Sequence, residues 1–197
     1  MSECVKRPLI LASGSPRRRE LLARMGYEFE ICAPDVDEHV SGHARDIVYA
    51  LAQRKAAAAA SHYDRGVIIA SDTLVSLDGV PLGKPEDAAQ ARDMLMALSG
   101  REHEVFTGVC VMDAETGESE TRPVRTGVTF RAISPREIED YIATGEPMDK
   151  AGAYAIQGGA GAFVKDLDGA FENVMGFPVD DVREMLRHFD ISAPGGR

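Results

Sequence analysis

The chain has 197 residues, and its 22 Lys and Arg against 32 Asp and Glu give a formal net charge of −10 at pH 7. Hydrophobic residues make up 44% of the sequence, which suits a single globular domain over residues 1–197 with a sizeable core. The acidic balance and the low aromatic content of 6%, without Trp, argue against an extended nucleic-acid-binding surface.

In chain order, alternating aliphatic runs and helical stretches predict strand Pro8–Ala12, helix Pro16–Met25, strand Tyr27–Cys32, helix His43–Ser61, strand Gly66–Leu77, helix Glu86–Leu98, strands His103–Met112 and Thr121–Arg131, and helices Pro135–Ala143 and Val179–His188. Ser15 is the predicted N-cap of the first helix, with Pro16 at its first position. Because the two long strands form a hairpin, we expect an α/β fold with a mixed twisted sheet flanked by helices.

Targeting and redox signals are weak. The segment Met1–Ser15 contains only a short apolar run, and no stretch approaches the roughly 20 apolar residues that cross a bilayer. The three cysteines, Cys4, Cys32 and Cys110, are widely spaced without a CxxC pair, which argues against a disulfide scaffold or a zinc knuckle. We therefore expect a cytoplasmic protein that binds no membrane and no nucleic acid.

The most informative segment runs from Leu9 to Leu21, where a strand passes through Ser13, Gly14 and Ser15 directly into a helix. Free N–H groups and the helix dipole make such a junction an anion site. Arg17 and Arg18 stand in the first turn, where acidic side chains are the stabilising ones, and their guanidinium forks suit phosphate oxygens. An ordinary strand–turn–helix with a solvated basic face is the alternative.

A second segment places Asp72 after four apolar residues of a strand, followed by Thr73. A carboxylate in such a strand must be paired, bind a metal or lie at an open end, so Asp72 is either a metal ligand or general base, or a structural cap. The Asp35–Glu38 run supplies a further carboxylate, Glu38, suited to a hard cation; a solvated turn is the alternative.

Two glycine-containing segments complete the pattern. Lys84 lies on a Gly- and Pro-flanked turn that fails the P-loop spacing but can present a cation to phosphate; a solvated lysine is equally compatible with this segment. Gln157, among the glycines of 149–163, carries an amide that can read a base edge, although the segment by itself favours a glycine-rich structural loop. Lys55 or Lys150 adds a further cation. Cations around carboxylates that can hold a divalent ion are typical of phosphoryl or nucleotidyl chemistry.

The sequence resembles the Maf family of nucleoside triphosphate pyrophosphatases through SGSPRRREL, PDVDE, ASDTLV, GKPEDA, LSGREHEVFTGV and DKAGAYAIQG, which occur in family order over nearly the whole chain. The resemblance implies an inosine triphosphatase-like fold with two lobes around a cleft. It also implies hydrolysis of a nucleoside triphosphate to the monophosphate and pyrophosphate with Mg²⁺ or Mn²⁺, and a homodimer.

The DKAGAY-IQG form resembles the dTTP/UTP branch of that family, since Lys150 and Gln157 replace the Cys and Glu of the 7-methyl-GTP branch. The carried-over catalytic residues are Asp72, Lys84 and Glu38, and those for the metal are Glu38 and Asp72. The carried-over substrate-binding residues are Ser13, Arg17, Arg18, Lys55, Thr73 and Gln157, of which Arg17, Thr73 and Gln157 stand at specificity positions. One small departure is Ala155, where many members have Gly.

The implied role is house-cleaning of nucleotide pools, including modified pyrimidine nucleotides, with a link to septum formation and division arrest. Two other classes stay open at this point. A non-catalytic nucleotide-binding regulator of division is disfavoured by Glu38 and Asp72. Two nearby carboxylates give a protein that only binds a polyanion little advantage unless a metal is present. A nucleic-acid-binding protein that uses the arginine triplet is disfavoured by the net charge.

Overall fold

A computed structural model describes residues 7–193. Its strands are β1 (Leu9–Leu11), β2 (Glu30–Ile31), β3 (Val67–Leu77), β4 (Val80–Leu82), β5 (Glu102–Asp113), β6 (Ser119–Phe130) and β7 (Val164–Asp168). Its α-helices are α1 (Pro16–Arg24), α2 (Ala44–Ala60), α3 (Ala88–Leu98), α4 (Pro135–Ala143), α5 (Phe171–Val174) and α6 (Val179–His188). Short 3-10 segments occupy Glu146–Asp149, Ala151–Ala153 and Gly159–Phe163.

The strands form one open, mixed sheet in the order β2-β1-β3-β5-β6-β7, with β4 beside the far end of β3. β1 runs parallel to both β2 and β3, whereas the remaining pairs are antiparallel. The β5–β6 hairpin supplies one of the antiparallel pairs, because strands joined by a short turn pair antiparallel. The predicted α/β class with a mixed sheet flanked by helices is confirmed.

Helix α2 packs directly on one face of the sheet. Its buried alanines Ala52, Ala56 and Ala59 meet a cluster that includes Ile68 on β3. Small side chains let the helix approach so closely that a Cβ added at Gly108 of β5 would lie 2.1 Å from the carbonyl oxygen of Val48. The alanine-rich tract is therefore a packing surface as well as a high-propensity helix.

The other face of the sheet carries two separate apolar clusters. One joins α1 and α6 to the sheet through residues such as Leu22 and Leu186, and the other joins α3 and α4 through residues such as Leu95 and Ile138. Helix α5 and the turn after it lie against β5 and β6, where buried Asn173 donates to backbone carbonyls of both strands.

Several local features differ from the sequence expectations. β2 has only two residues instead of the predicted Tyr27–Cys32, because this edge strand pairs only with the short β1. Strands β4 and β7, helix α5 and the 3-10 segments were not predicted, since they are short and depend on neighbours distant in sequence. Ser15 occupies the N-cap position, but its side chain makes no capping hydrogen bond.

Within 7–193, no helix is both long and apolar enough to span a membrane. Cys32 is half-buried and Cys110 buried, and both are free thiols; Cys4 lies outside the described residues.

Candidate active site

The cleft lies along a stretch of β3 that lacks a strand neighbour. β1 pairs with Val67–Ile69 and β4 with Val75–Leu77, so residues 70–74 have no paired strand on that edge in the described part of the chain. The cleft has a volume of about 700 Å³. The structure brings all nine sequence-predicted residues to its wall: Ser13, Arg17, Arg18, Glu38, Lys55, Asp72, Thr73, Lys84 and Gln157.

The alternation of side chains along β3 sends Asp72 and Thr73 to opposite faces of the sheet. Asp72 lies on the face that α2 covers, whereas Thr73 lies on the face of Arg18 and Thr107. Both residues line the cleft because it wraps around the exposed edge between them. The unpaired edge thus explains how two consecutive strand residues serve one site.

Lys55 on α2 joins the two predicted metal-binding carboxylates. Its Nζ lies 2.6 Å from Asp72 Oδ1 and 2.7 Å from Glu38 Oε1. The side chains of Lys55 and Asp72 are only 15% and 12% exposed, so the ammonium compensates a largely desolvated carboxylate. The hydrogen bond from Lys55 lowers the pKa of Glu38 below its ordinary value, and the charges of Lys55, Lys84 and Arg18 act in the same direction.

The oxygen donors of this cluster suit a metal ion that also binds phosphate and water, but they do not form a metal site made of protein ligands alone. Among the residues described, no group of three or more His, Cys, Asp or Glu side chains is arranged to hold an ion. An all-protein cage is therefore not formed by this part of the chain. Mg²⁺ in nucleotide enzymes usually takes one or two carboxylates together with phosphate oxygens and water, and Glu38 and Asp72 fit that pattern as hard oxygen donors.

Ser13 and Arg18 are linked at the start of α1. Ser13 Oγ accepts hydrogen bonds from the Ser15 backbone N–H and from Arg18 Nη1, both at 3.2 Å. Those two bonds occupy the lone pairs of the hydroxyl, which leaves its own proton available as a donor. A hydroxyl donor beside the positive end of a helix suits a phosphate oxygen.

Arg18 is also part of the framework of the cleft. Its Nε donates to the Gly176 carbonyl at 3.0 Å, and its Nη2 donates to Thr73 Oγ1 at 3.3 Å. Burial lowers the pKa of Arg18, whereas the nearby Asp72 charge acts to raise it. Arginine stays protonated in proteins, so Arg18 fixes the relative positions of α1, β3 and the turn at Gly176 while keeping N–H groups for a ligand.

Arg17 lines the cleft, as does Asp149 at the end of the first 3-10 segment. Asp149 pairs with Lys150, and this hydrogen bond is the main cause of the lowered pKa of Asp149, to which the charge of Arg17 contributes. Lys150, which the sequence offered as an alternative cation to Lys55, is thus engaged by a neighbour.

Lys84 is exposed at the rim of the cleft, on a turn whose Gly83 carbonyl accepts a hydrogen bond from the Gly152 N–H at 3.0 Å.

The loop that carries Gln157 is held on both sides. The Tyr141 hydroxyl accepts from the Ala155 N–H, and Glu146 Oε2 accepts from the Gly159 N–H, each at 3.0 Å. These two supports fix the backbone while leaving the Gln157 side chain exposed to the cleft. Sequence reasoning missed both, because no local pattern links Tyr141 on α4, or Glu146 on the 3-10 segment after it, to a loop more than ten residues later.

Behind the same loop, Tyr154 forms a hydrogen bond of 2.9 Å with His103 Nε2, and both rings pack edge-on against Phe130. Burial lowers the pKa of His103 from its ordinary value of 6.5 to about 4. His103 is therefore neutral at pH 7 and belongs to the support of the loop.

A family model described as "Maf-like protein" matches residues 8–189. The chain belongs to this family. Proteins named dTTP/UTP pyrophosphatase are among its relatives. The one from Desulforamulus reducens is 46% identical over 187 residues, which is 94% of this chain and 98% of the relative. The one from Moorella thermoacetica is 47% identical over 95% of this chain and 97% of the relative, and the one from Pelotomaculum thermopropionicum is 46% identical over 92% and 96%.

Membership in the Maf-like family confirms the resemblance drawn from the sequence motifs. The motif residues are distant in sequence, from Ser13 to Gln157, yet they meet in one cleft. The roles assigned to the individual residues stay predictions.

Proposed function

We propose that this Maf-like protein hydrolyses dTTP and UTP to the nucleoside monophosphate and pyrophosphate. The observation that carries the proposal is the cleft at the open edge of β3, where a carboxylate–ammonium cluster faces the start of α1. Relatives that are 46–47% identical over nearly the whole chain are named for that activity. A site with cations for a triphosphate and carboxylates for a metal or water suits this reaction.

The triphosphate binds across the start of α1. The Ser13 hydroxyl donates to a phosphate oxygen, and Arg17 and Lys84 approach from the two rims of the cleft. The helix dipole and the remaining N–H groups of Arg18 add positive potential at the same place. Together these groups outweigh the net negative charge of the chain, since charges more than a Debye length away are screened.

Water attacks the α-phosphorus, a P–O bond forms there, and the bond from the α-phosphorus to the bridging oxygen breaks to release pyrophosphate. Asp72 orients this water and accepts the proton that it loses as the P–O bond forms, and this proton then passes to solvent, while Lys55 holds Asp72 and Glu38 in place. A divalent cation such as Mg²⁺ or Mn²⁺, held by Glu38 and Asp72, would neutralise phosphate charge and increase the acidity of water. Lys84 stabilises charge on the leaving group.

The base lies toward Gln157 and Thr73. The Gln157 amide offers both a donor and an acceptor, and its donor suits a carbonyl oxygen of a uracil or thymine edge. Its backbone is fixed by Tyr141 and Glu146, so the amide is preorganised. Modified pyrimidine nucleotides that keep this edge belong to the same substrate class.

The proposal includes the broader setting implied by the resemblance: one domain over 1–197, a cytoplasmic homodimer, house-cleaning of nucleotide pools and a link to division arrest. Size-exclusion chromatography with light scattering tests the dimer, for which a mass near twice 21.3 kDa is expected. A mass of one chain across the working concentration range contradicts it.

The activity is tested by incubating the purified protein with dTTP, UTP, CTP, ATP, GTP and 7-methyl-GTP, each with Mg²⁺, Mn²⁺ or a chelator. Pyrophosphate and phosphate are measured separately. We expect pyrophosphate from dTTP and UTP that is lost with chelator. Preference for 7-methyl-GTP contradicts the role of Gln157, and tight binding without turnover of any triphosphate supports the regulator instead.

A further inference from the structure

The hydroxyl of Thr73 begins a chain of hydrogen bonds that runs from the cleft into the protein. Arg18 Nη2 donates to Thr73 Oγ1 at 3.3 Å, and Thr73 Oγ1 lies 3.0 Å from Thr107 Oγ1. Thr107 Oγ1 in turn donates to the backbone carbonyl of Asn173 at 2.9 Å. Thr73 is half-buried at the wall of the cleft, whereas Thr107 and Asn173 are fully buried.

The chemistry of the groups fixes the direction of every proton in this chain. A guanidinium can only donate, a carbonyl can only accept, and each hydroxyl carries one proton. Thr107 gives its proton to the Asn173 carbonyl, so the bond between the two threonines must use the proton of Thr73. Thr73 also accepts from Arg18, and one lone pair is then all that it can offer to a ligand.

The end of the chain is firmly held. Asn173 Nδ2 lies 3.0 Å from Thr126 Oγ1 and 3.3 Å from the carbonyl oxygens of Val105 and Val124. These bonds tie the side chain to β5 and β6 and keep the backbone carbonyl of Asn173 directed at Thr107. A rearrangement that reverses the chain would break this buried set of bonds, which is costly.

We propose that Thr73 meets the nucleobase only as a hydrogen-bond acceptor and that Thr107, acting through it, is a positioning residue for base selection. The site then favours pyrimidines that present an N–H at ring position 3, as uracil and thymine do. Cytosine presents a lone pair at that position and would face the lone pair of Thr73. This inference rests on the proposed function, because it concerns the base in the same cleft.

The decisive variant is Thr107→Val, which keeps the shape of the side chain but removes the acceptor for the proton of Thr73. Thr73 can then donate to cytosine as well as accept from uracil. We expect the ratio of kcat/KM for UTP to that for CTP to fall about fivefold, the size of one net hydrogen bond, mainly through a gain with CTP.

Thr107→Ser keeps the hydroxyl and is expected to retain the ratio of the unmodified protein. Thr129→Val makes the same change at a half-buried position of β6 away from the cleft, and it controls for the loss of a threonine hydroxyl from the sheet. Circular dichroism establishes that each variant is folded.

An unchanged ratio in folded Thr107→Val overturns the inference, and so does an equal loss with both substrates, which indicates a structural role. If the unmodified protein hydrolyses no triphosphate, the proposed function fails by itself. The base preference is then measured as the calorimetric affinity for UMP and CMP in the same three variants. The same fall in the UMP-to-CMP ratio supports the role of Thr107, and an unchanged ratio contradicts it.

Discussion

The ammonium of Lys55 lies 2.6 Å from Asp72 Oδ1, and this contact joins α2 to the open edge of β3. It exists because α2 lies almost directly on β5 at Gly108, which brings the helix face that carries Lys55 over the neighbouring strand. The chemistry of the cleft therefore depends on the close packing of a helix on a sheet.

Asp72→Asn keeps the size of the side chain but removes the carboxylate that faces Lys55. We expect kcat with dTTP or UTP to fall at least about 100-fold, the lower range of general acid–base contributions, while the fold is retained. Asp78→Asn is the matched control, because Asp78 lies exposed in the turn at the end of the same strand. Full activity of folded Asp72→Asn would remove Asp72 from the mechanism.

Gly108→Ala places a methyl group against the backbone of α2. The added Cβ would lie 2.1 Å from the Val48 carbonyl oxygen, so the helix must move. We expect a loss of about 1–3 kcal/mol in the free energy of unfolding, measured with urea, and a lower kcat because Lys55 moves with the helix. Gly83→Ala, which meets no atom within 4 Å, is expected to keep the original stability. A Gly108→Ala protein with unchanged stability and kcat contradicts this account.

The sequence predicted the elements whose signals are local. The long apolar run of β3 and the hairpin of β5 and β6 are visible as continuous patterns, and the motifs placed all nine candidate residues in one site. The engagement of Arg18 by Gly176, Ser13 and Thr73 was not predictable, because it joins three segments far apart in the chain. The same holds for Thr107 and for Tyr141 and Glu146, the supports of the Gln157 loop, because no sequence motif marks these residues.

The two neighbouring arginines are expected to respond differently to the same substitution. Arg18→Lys replaces a planar fork that reaches three acceptors with a single point charge, so we expect a loss of about 1–3 kcal/mol in stability. Arg17→Lys is expected to leave stability unchanged and to raise KM for the triphosphate. Thermal unfolding and steady-state kinetics measure the two effects. Equal stability losses in both variants would contradict the framework role of Arg18.

His103 predicts a pH dependence of stability. Its pKa is lowered to about 4 in the folded protein, against 6.5 in an unfolded chain, so only the unfolded state takes up this proton between those values. The contribution to stability is present above about pH 6.5 and falls as the pH decreases toward about 4. The loss at pH 5 is about 2 kcal/mol relative to pH 7.5.

Urea unfolding of the His103→Gln variant at pH 7.5 and pH 5 measures that contribution. Between pH 7.5 and pH 5, the free energy of unfolding is expected to fall by about 2 kcal/mol less in the variant than in the unmodified protein. The exposed His62 provides the control, and His62→Gln is expected to behave as the unmodified protein. If His103→Gln shows the original pH dependence, another group is responsible.

Gln157→Glu replaces a donor and acceptor with an acceptor alone. We expect kcat/KM for UTP to fall about tenfold, because one hydrogen bond to the base is lost and a carboxylate faces a carbonyl oxygen. Stability should change little, since the side chain is exposed and its loop is fixed through backbone groups. Parallel assays with UTP and 7-methyl-GTP measure the change, and unaltered selectivity would place the base elsewhere.

The most direct test of the central claim is hydrolysis of UTP in water enriched in ¹⁸O, followed by mass spectrometry of both products. Attack of water on the α-phosphorus puts one ¹⁸O atom into UMP and none into pyrophosphate, and this is the result that the proposed function predicts. Label in pyrophosphate would show attack on the β-phosphorus. Release of labelled inorganic phosphate with UDP would show cleavage at the γ-phosphorus, and either result would contradict the account.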